Sequence, residues 1–259
     1  MTITQRNSIS LLVIILLLLI LSVLIFIPFI FAASDSLNID YADLLTPNYI
    51  YAFLLILFSS VSLFTIRLFF YKTNSLEIFF FMLFLSTMIF ETSRPLISIL
   101  QQLNSPSNYI MFFSRTAYFG KICGTTSLFV SALFSSDLET RKLDTPIIII
   151  IVLSFLLSAS MPLSDNVLQN SYYKPGFFNY FVLSFLFIDV LTFMVFIINF
   201  FQKKSNEYIF LALSILLISS GRELTFYYAK TEFFAAGIAF MISGTILFSN
   251  KLHGIYKWY

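Results

Sequence analysis

Residues 77–101 read EIFFFMLFLSTMIFETSRPLISILQ, a run of 25 residues that is apolar along most of its length. A helix needs about 20 mainly apolar residues to cross a hydrocarbon core of roughly 30 Å. The stretch nevertheless carries Glu91 and Arg94, and ionisable side chains inside a membrane are costly unless they are paired. We therefore predict a membrane-spanning helix that turns one polar face toward other helices.

Seven further stretches of the 259-residue chain have the same apolar character. The eight predicted spans cover residues 9–32, 48–71, 77–101, 108–135, 146–163, 177–201, 208–229 and 232–250. The composition agrees, because 59% of the residues are hydrophobic and 11% are charged, against about 25% charged in soluble domains. We expect an all-α integral membrane protein, a polytopic bundle of about eight transmembrane helices. The segment from Ser164 to Pro175, between the fifth and sixth spans, carries breaker and polar residues and predicts a loop.

The first span is almost purely apolar from Leu11 to Phe31, with Ser22 as its one polar side chain. The apolar region of a signal peptide has about 7–15 residues, so this longer run favours a retained anchor at the edge of the bundle. The small residues Ala32 and Ala33 leave cleavage open, which would give seven spans and an outer N-terminus. We divide the chain into a signal-anchor helix at 1–33, a polar-striped bundle at 34–250 and an aromatic, basic tail at 251–259.

Lysine and arginine favour one orientation, because positively charged loops are retained in the cytoplasm. If eight spans alternate, eight basic residues fall on the side of the termini, and Lys174 and Lys230 fall on the other side. The eight are Arg6, Lys72, Arg141, Lys142, Lys203, Lys204, Lys251 and Lys257. We expect a protein of the cell (inner or plasma) membrane, surrounded by the lipid bilayer, with both termini in the cytoplasm.

Six ionisable residues fall near the middle of predicted spans, and their formal charges sum to zero. They are Glu91, Arg94, Lys121, Asp189, Arg222 and Glu223. Left unpaired, they would cost on the order of 15–20 kcal/mol, so we expect one water-accessible cluster between the third, fourth, sixth and seventh spans. Arg115, nearer the outer surface, either joins this set or extends to the interface. Polar residues at helical spacing from these charges form a second line of candidates: Thr87, Ser98, Tyr118, Ser219 and Tyr227.

Pro95 lies directly after Arg94 in the third span. A proline inside a helix removes one backbone hydrogen bond and frees the carbonyl near residue 91. In a membrane, that carbonyl must be satisfied by protein or water, so we predict a kink beside the charged residues. Gly120 and Gly124 have the GxxxG spacing that allows a close approach of helices and would bring Lys121 near a neighbouring span.

The composition excludes several kinds of chemistry. One cysteine and one histidine cannot form a structural zinc site or a multi-histidine metal site, so we expect neither a metal nor a cofactor. A net charge of +2, without a clustered basic face, gives no reason to expect nucleic acid binding. The chain carries no motif for catalysis, and we assign no catalytic residues.

Three functions fit these observations. The first is a sensor, receptor-like or scaffold module whose charged cluster binds a small polar ligand or lipid headgroup and signals to a cytoplasmic or membrane protein that carries the output activity. The alternative is a transporter, or the membrane subunit of a transport system, that uses the cluster for solute or proton coupling. An intramembrane enzyme is the third and least supported function. A structural ion network that only fixes helix register competes with all three.

Overall fold

The computed structural model describes residues 3–32, 47–73, 75–103, 105–136, 144–167, 172–228 and 230–256. The described elements are α1 (Ile3–Ala32), α2 (Pro47–Phe69), α3 (Leu76–Thr87), a 3-10 helix (Met88–Ser93), α4 (Arg94–Gln102), α5 (Ser107–Phe134), α6 (Asp144–Ser160), β1 (Leu163–Val167), β2 (Tyr173–Pro175), α7 (Phe178–Lys203), α8 (Glu207–Tyr227) and α9 (Thr231–Tyr256). Helix α3, the 3-10 helix and α4 follow one another without a gap and form the third span.

The prediction of an all-α bundle is confirmed for the described residues. Seven of their helices are long and apolar enough to cross a membrane: α1, α2, the third span, α5, α7, α8 and α9. Helix α6, which was expected to be an eighth span over 146–163, is shorter, because its apolar part ends at Ser160 and the chain then enters β1. Helix α9 continues to Tyr256, so residues 251–256 of the expected tail extend the last helix.

A β-hairpin joins α6 to α7, in the segment where the sequence predicts only a loop. Strands β1 and β2 pair antiparallel, with Leu163 opposite Pro175 and Val167 opposite Tyr173. The amide of Gly176 donates to the carbonyl of Pro162 at 2.8 Å and closes the base of the hairpin. The alternation of inward and outward side chains over such short strands is too brief to be recognised in the sequence.

The contacts at the helix termini define two ends of the bundle. At one end Arg6 donates to the carbonyls of Phe70 and Thr73, after α2, and Lys251 of α9 pairs with Glu207 of α8 at 3.1 Å. This basic end carries the described bases that were predicted to share a side: Arg6, Lys72, Lys203, Lys204 and Lys251. Arg141, Lys142 and Lys257 lie outside the described residues. The opposite end holds the hairpin, and we call it the hairpin end.

Helices α8 and α9 approach most closely where two glycines face each other. A Cβ atom on Gly221 would lie 2.5 Å from the carbonyl oxygen of Gly237, and one on Gly237 would lie 2.7 Å from that of Gly221. Any larger residue would force the backbones apart, so α8 and α9 form a tightly packed pair. Helix α1, by contrast, lies at the edge, as its apolar sequence predicts, with 28% of its spanning stretch buried.

Candidate functional site

A buried ion pair joins the third span to α8. Arg222 donates to the same oxygen of Glu91 twice, from Nη2 at 2.8 Å and from Nε at 3.0 Å to Oε1. The two side chains are 3% and 0% exposed. The second carboxylate oxygen of Glu91, Oε2, is buried and has no partner among the described residues. The pair therefore neutralises both charges but leaves one acceptor of Glu91 free.

Glycine residues on α5 make room for Arg222. Its Nη2 also donates to the carbonyl of Gly120 at 3.0 Å. A Cβ atom on Gly124 would collide with the guanidinium of Arg222 and would lie 2.5 Å from the hydroxyl of Thr87. The GxxxG spacing thus allows the close approach that was predicted. The two glycines face the third span and the Arg222 side chain, whereas Lys121, between them, binds Glu223.

Lys121 and Glu223 form a second ion pair, between α5 and α8. The ammonium lies 2.7 Å from Oε1 of Glu223. Lys121 is fully buried, whereas the Glu223 side chain is 29% exposed. Three rings surround the ammonium at centroid distances of 3.9, 4.4 and 5.0 Å, those of Tyr227, Phe226 and Phe185. Aromatic faces attract cations, so the rings and one carboxylate hold this charge in the interior.

Arg94 has no carboxylate partner among the described residues, which corrects the expectation that it joins an ion pair. Its Nη2 donates to the carbonyl of Thr225 at 2.7 Å and to that of Phe226 at 3.3 Å. Both carbonyls lie in the last turn of α8, where no further helical amide can reach them. The guanidinium therefore caps the negative end of the α8 dipole, and its charge is balanced by the backbone.

Tyr172, next to strand β2, is a member of the site that the sequence analysis missed. Its hydroxyl donates to the backbone carbonyl of Glu91 at 2.8 Å and accepts from Nε of Arg94 at 3.2 Å. Burial raises the pKa of the Tyr172 phenol, although the charge of Arg94 opposes this effect, so the phenol stays a neutral donor. The available signal was a pair of tyrosines, Tyr172 and Tyr173, inside a predicted loop that is otherwise mostly polar.

Two further hydrogen bonds fix the hairpin to α5. The Tyr118 hydroxyl donates to the carbonyl of Tyr173 at 3.0 Å, and the amide of Tyr173 donates to the hydroxyl of Ser114 at 3.1 Å. Tyr118 is one of the second-line candidates from the sequence, and Ser114 lies one turn before it on α5. The hairpin is thus bound to α5 and to the third span at the same time.

Asp189 and Arg115 stand apart from the ion pairs. Asp189, on α7, is half-buried and lies one turn after Phe185, whose ring contacts the Lys121 ammonium, but no ion pair or hydrogen bond joins its side chain to a described residue. Arg115 is half-buried, and the Nε atom of its side chain is buried without a partner among the described residues. The contacts of the cluster do not include it.

The second line of candidates divides by burial. Thr87, Tyr118 and Ser219 are buried, whereas Ser98 and Tyr227 are half-buried. Ser98 donates to the carbonyl of Arg94 at 3.2 Å.

We use the name charged cluster for Glu91, Arg222, Lys121 and Glu223, which link the third span, α5 and α8. Arg94 and Asp189 lie beside this cluster.

The described residues contain no group of three or more His, Cys, Asp or Glu side chains placed to hold a metal ion. Comparison with protein-family models, with characterised proteins and with solved structures finds no significant match to this chain. Function is therefore argued from the geometry of the charged cluster and the hairpin.

Proposed function

We propose that this chain is a multi-pass membrane sensor or receptor-like module. In this proposal the hairpin end receives a small polar ligand or a lipid headgroup, and the charged cluster passes the rearrangement to a cytoplasmic or membrane protein that carries the output activity. The observation that carries the proposal is the contact of Tyr172 with Glu91 and Arg94, because it links a loop at one end to the buried charges.

The third span is the element that a movement of the hairpin would reach first. Tyr172 donates to the carbonyl of Glu91, to which Pro95 cannot donate the hydrogen bond of an α-helix. The chain around that carbonyl is a 3-10 helix, Met88–Ser93, and a 3-10 stretch inside a longer helix often marks a hinge. Withdrawal of Tyr172 would remove this donor and favour a different winding of the segment.

Helix α8 would move after the third span, because the third span binds it at two points. Arg222 binds Glu91 through two hydrogen bonds, and Arg94 binds the carbonyls at the C-terminus of α8. A rewinding at Glu91 and Arg94 would therefore move α8 as well. The tight glycine contact with α9 would carry that movement to the basic end, where Tyr256 of α9 donates to Glu77 of α3 at 3.1 Å.

The position of the basic residues supports the membrane topology that the proposal needs. The lysine and arginine residues described at the basic end favour a cytoplasmic location for that end. In the proposal both termini therefore lie in the cytoplasm and the hairpin lies outside. The proposal includes α6 as an eighth, short span in the cell (inner or plasma) membrane. It also retains the signal anchor at 1–33, the bundle at 34–250 and the tail at 251–259.

A distance measurement between spin labels tests whether the hairpin end is coupled to the basic end. The labels are placed at Lys72→Cys and Asn206→Cys, two exposed positions at the basic end, in a Cys123→Ala background in lipid nanodiscs. We expect Tyr172→Phe to shift or broaden the distance distribution, because it removes both hydrogen bonds of the phenol. The matched control is Tyr180→Phe, since this tyrosine lies near the hairpin end but is 73% exposed. Identical distributions for Tyr172→Phe and the parent protein would refute the coupling.

Transport is the alternative, and one observation favours it. The Lys121–Glu223 pair extends from a fully buried ammonium to a carboxylate that is 29% exposed, so a charge at mid-span has an accessible partner. Coupled transport uses ionisable groups in such positions. The test is uptake into proteoliposomes, with and without an imposed proton gradient, compared between the parent protein and Glu223→Gln. Gradient-driven uptake that Glu223→Gln abolishes would favour transport over sensing.

A further inference from the structure

The six charges that balance in the sequence do not balance in space. Arg94 is directed to the backbone carbonyls at the end of α8 and neutralises no carboxylate. Of the other five residues of this set, two are bases, Lys121 and Arg222, and three are acids: Glu91, Glu223 and Asp189. These five residues together carry one formal negative charge in excess.

The excess charge can be assigned to Asp189. Glu91 and Glu223 each have a basic partner at 2.8 and 2.7 Å, whereas Asp189 has no ion pair or hydrogen bond among the described residues. Phe185, one turn before Asp189 on α7, contacts the Lys121 ammonium, and this ammonium is already bound to Glu223. A second carboxylate that shares one ammonium with an ionised neighbour favours its own protonated form.

In the part of the chain that the structure describes, no second cation is seen bound to Asp189. Helix α8 contributes Glu223 and Arg222, and the latter is bound to Glu91; α5 contributes Lys121. From β2, Lys174 lies over the ring of Phe178 at the opening turn of α7, at 4.8 Å. The contact of α7 with α9 is between the rings of Phe196 and Phe248.

The position of α7 adds to the cost of an ionised Asp189. This helix lies on the outside of the bundle, with 17% of its spanning stretch buried, and Asp189 is half-buried near its middle. In a bilayer the exposed part of that side chain faces hydrocarbon or a cleft between helices, where an unpaired charge is strongly disfavoured. The hydroxyl of Tyr227, whose ring contacts the Lys121 ammonium, is likewise buried and has no hydrogen-bond partner among the described residues.

We propose that the side chain of Asp189 is a proton-binding site. In the resting protein the carboxylate carries one proton and is a neutral carboxylic acid, while Lys121 and Glu223 remain ionised. Loss of that proton places a second negative charge beside Lys121 and draws the ammonium away from Glu223. The proton site does not depend on the sensory role, since a purely structural network or a transporter would hold the same proton.

Infrared spectroscopy of the full chain in lipid nanodiscs tests the proposal, because the C=O stretch of a protonated carboxyl group is separated from the stretches of an ionised carboxylate. At neutral pH we expect this band in the parent protein and its loss in Asp189→Asn. The matched control is Glu232→Gln, which removes an exposed acid at the start of α9 and should keep the band. Absence of the band from the parent protein, or its persistence in Asp189→Asn, would overturn the proposal.

Isotope labelling keeps the test decisive if Asp189→Asn fails to fold. The parent protein is prepared with 13C in the side-chain carboxyl groups of aspartate or, separately, of glutamate. We expect the band to shift with labelled aspartate and to stay in place with labelled glutamate. A shift with labelled glutamate would put the proton on a glutamate, and the assignment to Asp189 would be wrong.

Discussion

The hydroxyl of Tyr172 lies 2.8 Å from the backbone carbonyl oxygen of Glu91, an acceptor to which Pro95 cannot donate the hydrogen bond of an α-helix. A side chain from the hairpin thus donates to the backbone inside the third span. The donor is 81 positions away from the acceptor in the chain. This arrangement makes the winding of the span depend on the position of the hairpin.

Tyr172→Phe should lower the free energy of unfolding by about 0.5–2 kcal/mol, because it removes the hydrogen bonds of the phenol with a buried carbonyl and with the guanidinium of Arg94. The measurement is the midpoint of thermal unfolding in detergent. Tyr180→Phe, on the exposed face of α7, should leave the midpoint unchanged. An equal effect of the two substitutions would show that the phenol of Tyr172 adds no stability.

Pro95→Ala should reduce the cost of Tyr172→Phe. An alanine restores the amide that can bind the carbonyl of residue 91, so the carbonyl no longer depends on the phenol. The test is a double-mutant cycle of the two substitutions, with the free energy of unfolding measured for each protein. Additive effects would mean that Tyr172 and Pro95 do not act on the same carbonyl.

The sequence was sufficient to predict the helices, because apolar length and the loops between them are local properties of the chain. It also singled out the carbonyl near residue 91, because the missing amide of Pro95 is a local property of the helix. It did not predict that Tyr172 would fill the site. That contact joins two distant segments, and no pattern within either segment specifies the partner.

For the charged residues, too, the sequence predicted the local arrangement but not the long-range partners. Adjacent residues of a helix project about 100° apart, and the structure gives Arg222 and Glu223 different partners, Glu91 and Lys121. The neutral sum suggested complete pairing, but it ignored the backbone as a source of partial charge. Arg94 binds the C-terminus of α8, and this choice depends on where α8 ends beside the third span.

Removal of one partner of the Glu91–Arg222 pair should be severe. Glu91→Gln leaves the guanidinium buried without a counter-charge, and we expect a loss of about 3–5 kcal/mol. The double replacement Glu91→Met with Arg222→Met should cost less than Glu91→Gln alone, because it removes both charges. Glu207→Gln serves as the control, since its pair with Lys251 is partly exposed and should contribute about 0–1 kcal/mol. Chemical unfolding in detergent gives the free energy of unfolding of all three variants. A double variant that is less stable than Glu91→Gln would contradict this ranking.

Gly124→Ala should destabilise the protein, although alanine usually stabilises a helix by up to about 1 kcal/mol relative to glycine. The new methyl group would collide with Arg222 and Thr87, and such overpacking costs about 1–3 kcal/mol. Gly254→Ala provides the control, because a Cβ atom at that position meets nothing within 4 Å. Opposite signs are expected for the two changes in unfolding temperature, and a stabilising Gly124→Ala would show that the close approach has no energetic role.

Glu223→Gln should cost more stability than Lys121→Met, although both remove the same ion pair. Glu223→Gln leaves the Lys121 ammonium fully buried without its carboxylate, which is the expensive outcome of breaking a buried pair, at about 3–5 kcal/mol. Lys121→Met instead leaves a carboxylate that is 29% exposed, and methionine fills the space among the three rings with a similar volume. Thermal unfolding of the two variants under identical conditions compares these costs. The reverse order would show that the rings, and not Glu223, carry the stabilisation of the Lys121 charge.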